Sequence, residues 1–119
     1  MQTRFAAFFL LMACSTPILG ATDGNQLLQM CSAAVRVMDG VDKNGDFDAA
    51  LCIGFIGGYK SGHDNALRGM THCAPNNITA GQLVRITVKY LNEHPEQLHL
   101  DQSVLTAFAL AQAFPCGKK

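Results

Sequence analysis

Residues 71–116 read THCAPNNITAGQLVRITVKYLNEHPEQLHLDQSVLTAFALAQAFPC, two apolar helical patterns lying between two cysteines. Thr79-Ala80-Gly81-Gln82 has the form of a capping box, in which the threonine hydroxyl accepts from the amide three residues on and the glutamine reaches back to the threonine amide. A helix is therefore expected to begin near Ala80. Leu83, Ile86, Thr87, Tyr90 and Leu91 follow at helical spacing. His94-Pro95 closes the pattern near Glu93, because the residue before a proline is pushed out of the α region. Asp101 is placed to cap a second helix carrying Val104, Leu105, Phe108 and Ala111 on one face, with Pro115 ending it just before Cys116.

Upstream, Asp23-Gly24-Asn25-Gln26 offers another cap, and Leu27, Leu28, Cys31, Ala34, Val35 and Met38 share one helical face. This predicts a helix from about Gly24 to Met38. The polar stretch GVDKNGDFD (40–48) then forms a connection, with Asn44-Gly45 suited to a turn of positive φ. Asp42, Asn44, Asp46 and Asp48 alternate as calcium ligands do in an EF-hand. The glycine, however, falls at the fourth position of the loop rather than the sixth, and Ile53 stands where the bidentate glutamate belongs. A solvated turn with Asp46 or Asp48 capping the next helix is the reading taken. That helix, Phe47 to Ala66, carries Cys52, Phe55, Ile56, Tyr59, His63 and Ala66 on one face. Gly54, Gly58 and Gly62 repeat every four residues on another, at roughly 1 kcal/mol each in helix propensity, which suggests a close helix or subunit approach.

At 119 residues, 49% hydrophobic and 15% charged, the chain suits one domain with a core and not a disordered segment. Met1-Gln2-Thr3-Arg4 followed by the apolar run Phe5 to Ala13 reads as a secretory signal peptide, too short to span a bilayer. Cleavage is expected after Ala21, or after Gly20. A rival reading takes Leu11-Met12-Ala13-Cys14 as a lipobox, which would leave Cys14 lipidated, although methionine is unusual at its second position. Removal of residues 1–21 takes away Arg4 alone among the charged residues and leaves eight basic and nine acidic, a net of −1. That balance gives no footprint for nucleic acid. Removal also leaves four cysteines, Cys31, Cys52, Cys73 and Cys116, and an even number in a small exported domain implies two disulfides. Three pairings are open. If the first two helices pack as an antiparallel hairpin, Cys31 and Cys52 lie at similar heights, and Cys31–Cys52 with Cys73–Cys116 is the preferred set.

Chemistry finds little purchase. His72 beside Cys73 could stabilise a thiolate, but paired cysteines in an exported protein oxidise. His63, His72, His94 and His99 lack zinc spacing, Glu93 and Glu96 fit a solvated helix end, and no phosphate loop follows a strand. The expectation is an all-α, compact bundle of about four helices with two disulfides over residues 22–119, non-enzymatic and without cofactor or metal.

The runs FIGGYKSG (55–62), HCAPNNITAGQLVRITVKYLNEHPEQLHL (72–100) and ALAQAFPC (109–116) give the chain a further character. Their ordered Cys-Ala-Pro, Thr-x-Gly-Gln-Leu, Lys-Tyr-Leu, His-Pro-Glu and Phe-Pro-Cys motifs resemble the Rap/Tai immunity family over Leu27 to Cys116. The resemblance implies a periplasmic protein that binds and inhibits a peptidoglycan amidase delivered by type VI secretion, and implies a homodimer. It would also make the Asn77-Ile78-Thr79 glycosylation sequon accidental, as the source would be bacterial. A different class of answer is a periplasmic acid-stress chaperone of the HdeA kind, of similar size and helical make-up; a neighbouring amidase gene would favour immunity. An inhibitor of a cleft enzyme needs a projecting, preorganised polar segment. Two are available: the joint His94 to Asp101, offering Glu96, Gln97 and His99, and the loop Arg68 to Asn77, offering Arg68 and His72. The joint is preferred, since two helices would hold its ends.

Overall fold

The computed structural model describes residues 22–43, 46–66 and 71–117. The leader expected over residues 1–21, Cys14, the Asn44-Gly45 turn and Arg68 lie outside the described residues. Four α-helices account for most of the rest: α1 (Gly24–Met38), α2 (Phe47–Ala66), α3 (Ala80–Glu93) and α4 (Gln102–Ala113), with a 3-10 turn at Pro95–Gln97 between the last two. The local signals explain these limits. Asp23 caps α1 by accepting from the Gln26 amide at 3.1 Å, and Asp46 accepts from the Asp48 amide at 2.9 Å ahead of α2. The Thr79–Gln82 capping box opens α3 with both reciprocal bonds made. Asp101 accepts from the Ser103 amide at 2.7 Å to start α4. Past α1, Gly40 takes φ 71°, the left-handed geometry that lets its amide turn back to the Val37 carbonyl.

The core lies where α1 meets the other three helices. Leu27, Cys31 and Ala34 of α1, Cys52 and Ile56 of α2, Leu83, Val84 and Leu91 of α3, and Leu105 and Leu110 of α4 are withdrawn from solvent. Each large aliphatic side chain among them contributes roughly 1.5–3 kcal/mol through burial. Two disulfides pin this arrangement, Cys31–Cys52 inside the core and Cys73–Cys116 between the segment before α3 and the tail after α4, with Cα–Cα separations of 5.0 and 4.9 Å.

The first pairing arises from a different geometry than the expected hairpin. Gln29 donates to Asp48 at 3.0 Å, two residues before Cys31 on α1 and four before Cys52 on α2. Contacts thus climb both helices in the same sense, which an antiparallel pair lying side by side could not give. The connection makes this possible by folding back along α1: the amides of Val41 and Asp42 both donate to the Arg36 carbonyl at 2.9 and 3.3 Å, and the Arg36 side chain pairs with Asp42 at 2.9 Å. A link of this length reaches about 3.3 Å per residue, enough to carry the chain back beside the middle of α1.

Two further expectations are corrected. On α4 the buried side chains are Leu105, Thr106, Ala109 and Leu110, while Val104 and Phe108 are 41% and 45% exposed. The helix is apolar nearly all round, so periodicity could not select its inner face. The glycines of α2 do not serve a close approach within the chain either. A Cβ built at Gly54, Gly58 or Gly62 meets nothing within 4 Å. Gly24 is the described glycine pressed against backbone, where a Cβ would lie 2.9 Å from both the Cα and the carbonyl oxygen of Leu98 and would run into Leu105.

Candidate functional site

Gly24 leads to the joint between α3 and α4, because its missing side chain lets the start of α1 lie directly against residues 98–101. The Gly24 amide donates to the Leu100 carbonyl at 3.0 Å, the Asn25 side-chain amide to the Leu98 carbonyl at 3.2 Å, and the Gln102 amide to the Thr22 carbonyl at 3.0 Å. Asp23 and Asp101 face each other in an isolated antiparallel bridge. Within the joint, Gln97 donates its amide to the His94 carbonyl at 3.0 Å and Leu100 donates to Gln97 at 2.9 Å. The joint is fixed from two sides before any partner arrives.

Its three candidate side chains are placed differently. Glu96 and His99 are exposed. Glu96 sits 3.2 Å from His94 Nδ1, and its own backbone amide, with help from that imidazole, holds its carboxyl below the usual carboxylate range. It therefore presents a dependable negative charge. Gln97 is half-buried and turned inward, its Oε1 accepting from the Tyr90 hydroxyl at 2.7 Å, while the Tyr90 ring lies 4.3 Å from that of His94. Burial raises the Tyr90 phenol above its ordinary value, with Gln97 opposing the shift, so the hydroxyl remains a donor to Gln97. Gln97 acts as a brace of the joint, whereas Glu96 and His99 form its outward surface.

The segment 71–79 also departs from the expectation of a wholly polar, outward-facing loop. His72 is 1% exposed and stacks on His63 of α2, ring centroids 3.7 Å apart and planes within 15°, with Tyr59 6.3 Å from it on the same side of α2. His63 Nε2 lies 2.8 Å from the Thr71 hydroxyl, but His63 Nδ1 and both nitrogens of His72 are buried without a hydrogen-bond partner. Burial, then the neighbouring His63, pushes His72 below the ordinary imidazole range, with Asp64 opposing and Lys60 adding to the shift. The ring thus belongs to the packing of the segment and offers a partner nothing to touch. Cys73 is bonded to Cys116, which removes the thiolate that a nucleophile would need. Sequence periodicity had already placed His63 on the inner face of α2; nothing in the sequence paired it with His72.

Between this segment and the helices lies a groove of about 560 Å3, lined by Pro75, Asn77, Ile78, Gln82, Arg85, Ile86 and Phe114. Arg85 at its rim pairs with Asp39 at 2.6 Å. Among the described residues no group of three histidines, cysteines or acids is gathered as metal ligands. The acids of the 42–48 stretch have other roles, with Asp42 paired to Arg36, Asp46 capping α2 and Asp48 holding Gln29.

The described residues thus form a helical module stapled by two disulfides, one in the core and one reaching the surface, with a joint braced by α1. The chain belongs to the family of Rap1a immunity proteins, whose family model matches residues 23–116. That match spans the capped start of α1 to the last cysteine of the framework. No curated protein and no solved structure matches the chain.

Proposed function

We propose that the protein is an exported immunity factor that binds a peptidoglycan amidase delivered by type VI secretion and blocks it in the periplasm. The family assignment supports immunity over an acid-stress chaperone. The basic start and apolar run of residues 1–13, read as a leader, support export, and the two disulfides suit an oxidising compartment. The amidase is the finer part of the proposal and rests on the motifs of residues 72–100 and 109–116.

The observation that carries the contact surface is the bracing of the joint His94 to Asp101 by α1. A segment already held by backbone bonds loses little conformational entropy when it enters a cleft. Glu96 and His99 are the side chains it would offer. In the same proposal the protein acts as a homodimer, supported by the uncharged outer face of α2, where exposed Phe47 and Leu51 run into Gly54 and Gly58.

The test is inhibition of the cognate amidase by Glu96→Ala/His99→Ala, which leaves Gln97 and its Tyr90 contact in place. A loss of affinity of tenfold or more at unchanged melting temperature is expected. Wild-type inhibition by the folded double variant would remove the joint from the contact surface. Light scattering on Leu51→Lys addresses the dimer, and an unchanged dimeric mass would exclude this face of α2 from the subunit contact.

A further inference from the structure

An imidazole buried in a stack without hydrogen-bond partners carries a proton only at a cost. His63 and His72 are 4% and 1% exposed, their centroids are 3.7 Å apart, and three of their four ring nitrogens have no partner. A proton taken up by His72 would create a buried cation whose ring nitrogens have no hydrogen-bond partner, and the Asp64 carboxylate offsets only part of that cost. Among the described residues, the charged and titratable neighbours come from α2. They are Tyr59, whose phenol is raised by burial against an opposing bond from Thr71, and Lys60 and Asp64, which pair with each other. Asp64 Oδ1 lies 3.8 Å from His63 Nδ1, and its charge also acts on His72, against the larger effect of burial. Thr71 brings a hydroxyl, and residues 102–117, which include α4 and its tail, contain no ionisable side chain apart from the bonded Cys116.

We propose that His72, stacked on His63, forms a proton-sensitive latch, which holds the 71–79 segment against α2 only while the His72 ring is neutral. The sign follows from linkage. A histidine whose value is lower in the closed state than in the open one binds protons preferentially when open, so closure is complete above about pH 6.5 and weakens as pH falls below it. The segment carries Pro75, Asn77 and Ile78, one wall of the groove that Phe114 closes on the other side. Acidification therefore opens the groove. The neighbouring Cys73–Cys116 bridge keeps the released segment tied to the end of α4, which makes the opening local and reversible. This inference is independent of which toxin the protein binds.

Hydrogen exchange of the oxidised protein at pH 7 and pH 5, corrected for the intrinsic pH dependence of amide exchange, reads the latch directly. Opening of residues 71–79 should rise by up to about 25-fold for one proton taken up by an ordinary imidazole of pKa 6.5, while α1 and α3 change less than about twofold. His72→Phe keeps a stacking ring that takes no proton, and its 71–79 segment should respond to the same pH step by less than about threefold. Equal opening of the wild-type segment at the two pH values overturns the proposal, as does a full rise in His72→Phe. Should that variant fail to fold, the ring resonances of the wild type decide, and a His72 midpoint at or above 6.5 overturns the latch.

Discussion

Two glycines show how residue-scale effects depend on what lies opposite. Gly24 faces the Leu98 backbone at 2.9 Å, and a backbone cannot step aside as a flexible side chain can. Gly24→Ala should cost about 1–3 kcal/mol, as overpacking does, and should free the joint, seen as a lower urea midpoint together with faster exchange at residues 98–101. Gly58 faces open space within a helix, so Gly58→Ala should instead stabilise the fold by roughly 0.5–1 kcal/mol; a lower melting temperature for that variant would show that something covers the strip. Thr79 carries the start of α3, and Thr79→Ala should cost about 1 kcal/mol in thermal or chemical unfolding. Gln82→Ala should cost less, since it leaves the bond that the Gln82 amide donates to the Thr79 hydroxyl intact.

Among the elements, the two disulfides have separate duties. Cys31–Cys52 closes 21 residues within the core and Cys73–Cys116 closes 43 across the segment before α3 and the tail. Chain entropy gives about 3 and about 4 kcal/mol for loops of these lengths. Their accessibility reverses that ranking under reductant. Cys31 and Cys52 are fully buried, whereas Cys73 is exposed, so a thiol reductant should open Cys73–Cys116 first. Alkylation and peptide mapping during partial reduction should find labelled Cys73 and Cys116 while Cys31 and Cys52 remain bonded; simultaneous labelling of all four would mean that reduction follows global unfolding. The ion pairs Arg36–Asp42 and Arg85–Asp39 tie the end of α1 to its neighbours, but all four side chains are well exposed. Arg85→Ala should accordingly change stability by less than about 1 kcal/mol.

For the molecule as a whole, nearly balanced charge limits what long-range electrostatics can do. The full chain has a net charge of zero, and the removal of residues 1–21 that the proposed export implies would make it −1, too small to steer an approaching partner. Association with the effector should proceed at an ordinary on-rate of about 10⁵–10⁶ M⁻¹s⁻¹, changing less than about threefold between low and physiological salt, with affinity set by dissociation. Stopped-flow measurement across a salt series checks this, and a steep salt dependence would point to a localised charged patch instead. Among the described residues no helix is long and apolar enough to cross a membrane.

The sequence by itself determined everything that depends on neighbours along the chain. The capping residues Asp23, Asp46, Thr79 and Asp101 and the stop at His94-Pro95 placed the helices, because caps and proline act within one turn of the residue that carries them. Most of the inner face of α1 and of α3 was legible for a related reason, a repeat against a polar background such as Leu27, Cys31 and Ala34 or Leu83, Thr87 and Leu91, although Met38 is 37% exposed and the buried Ala33 and Val84 lay outside the expected stripes. Only the tertiary structure decided the rest. The face of α4 was set by what packs on it, since Val104 and Phe108 are as apolar as the Leu105 and Leu110 that the core took. The course of α2 beside α1 was set by a connection folded onto Arg36. The stacking of His63 on His72 and the fit of Gly24 against Leu98 join residues that no local pattern relates, and only packing of the whole chain brings them together.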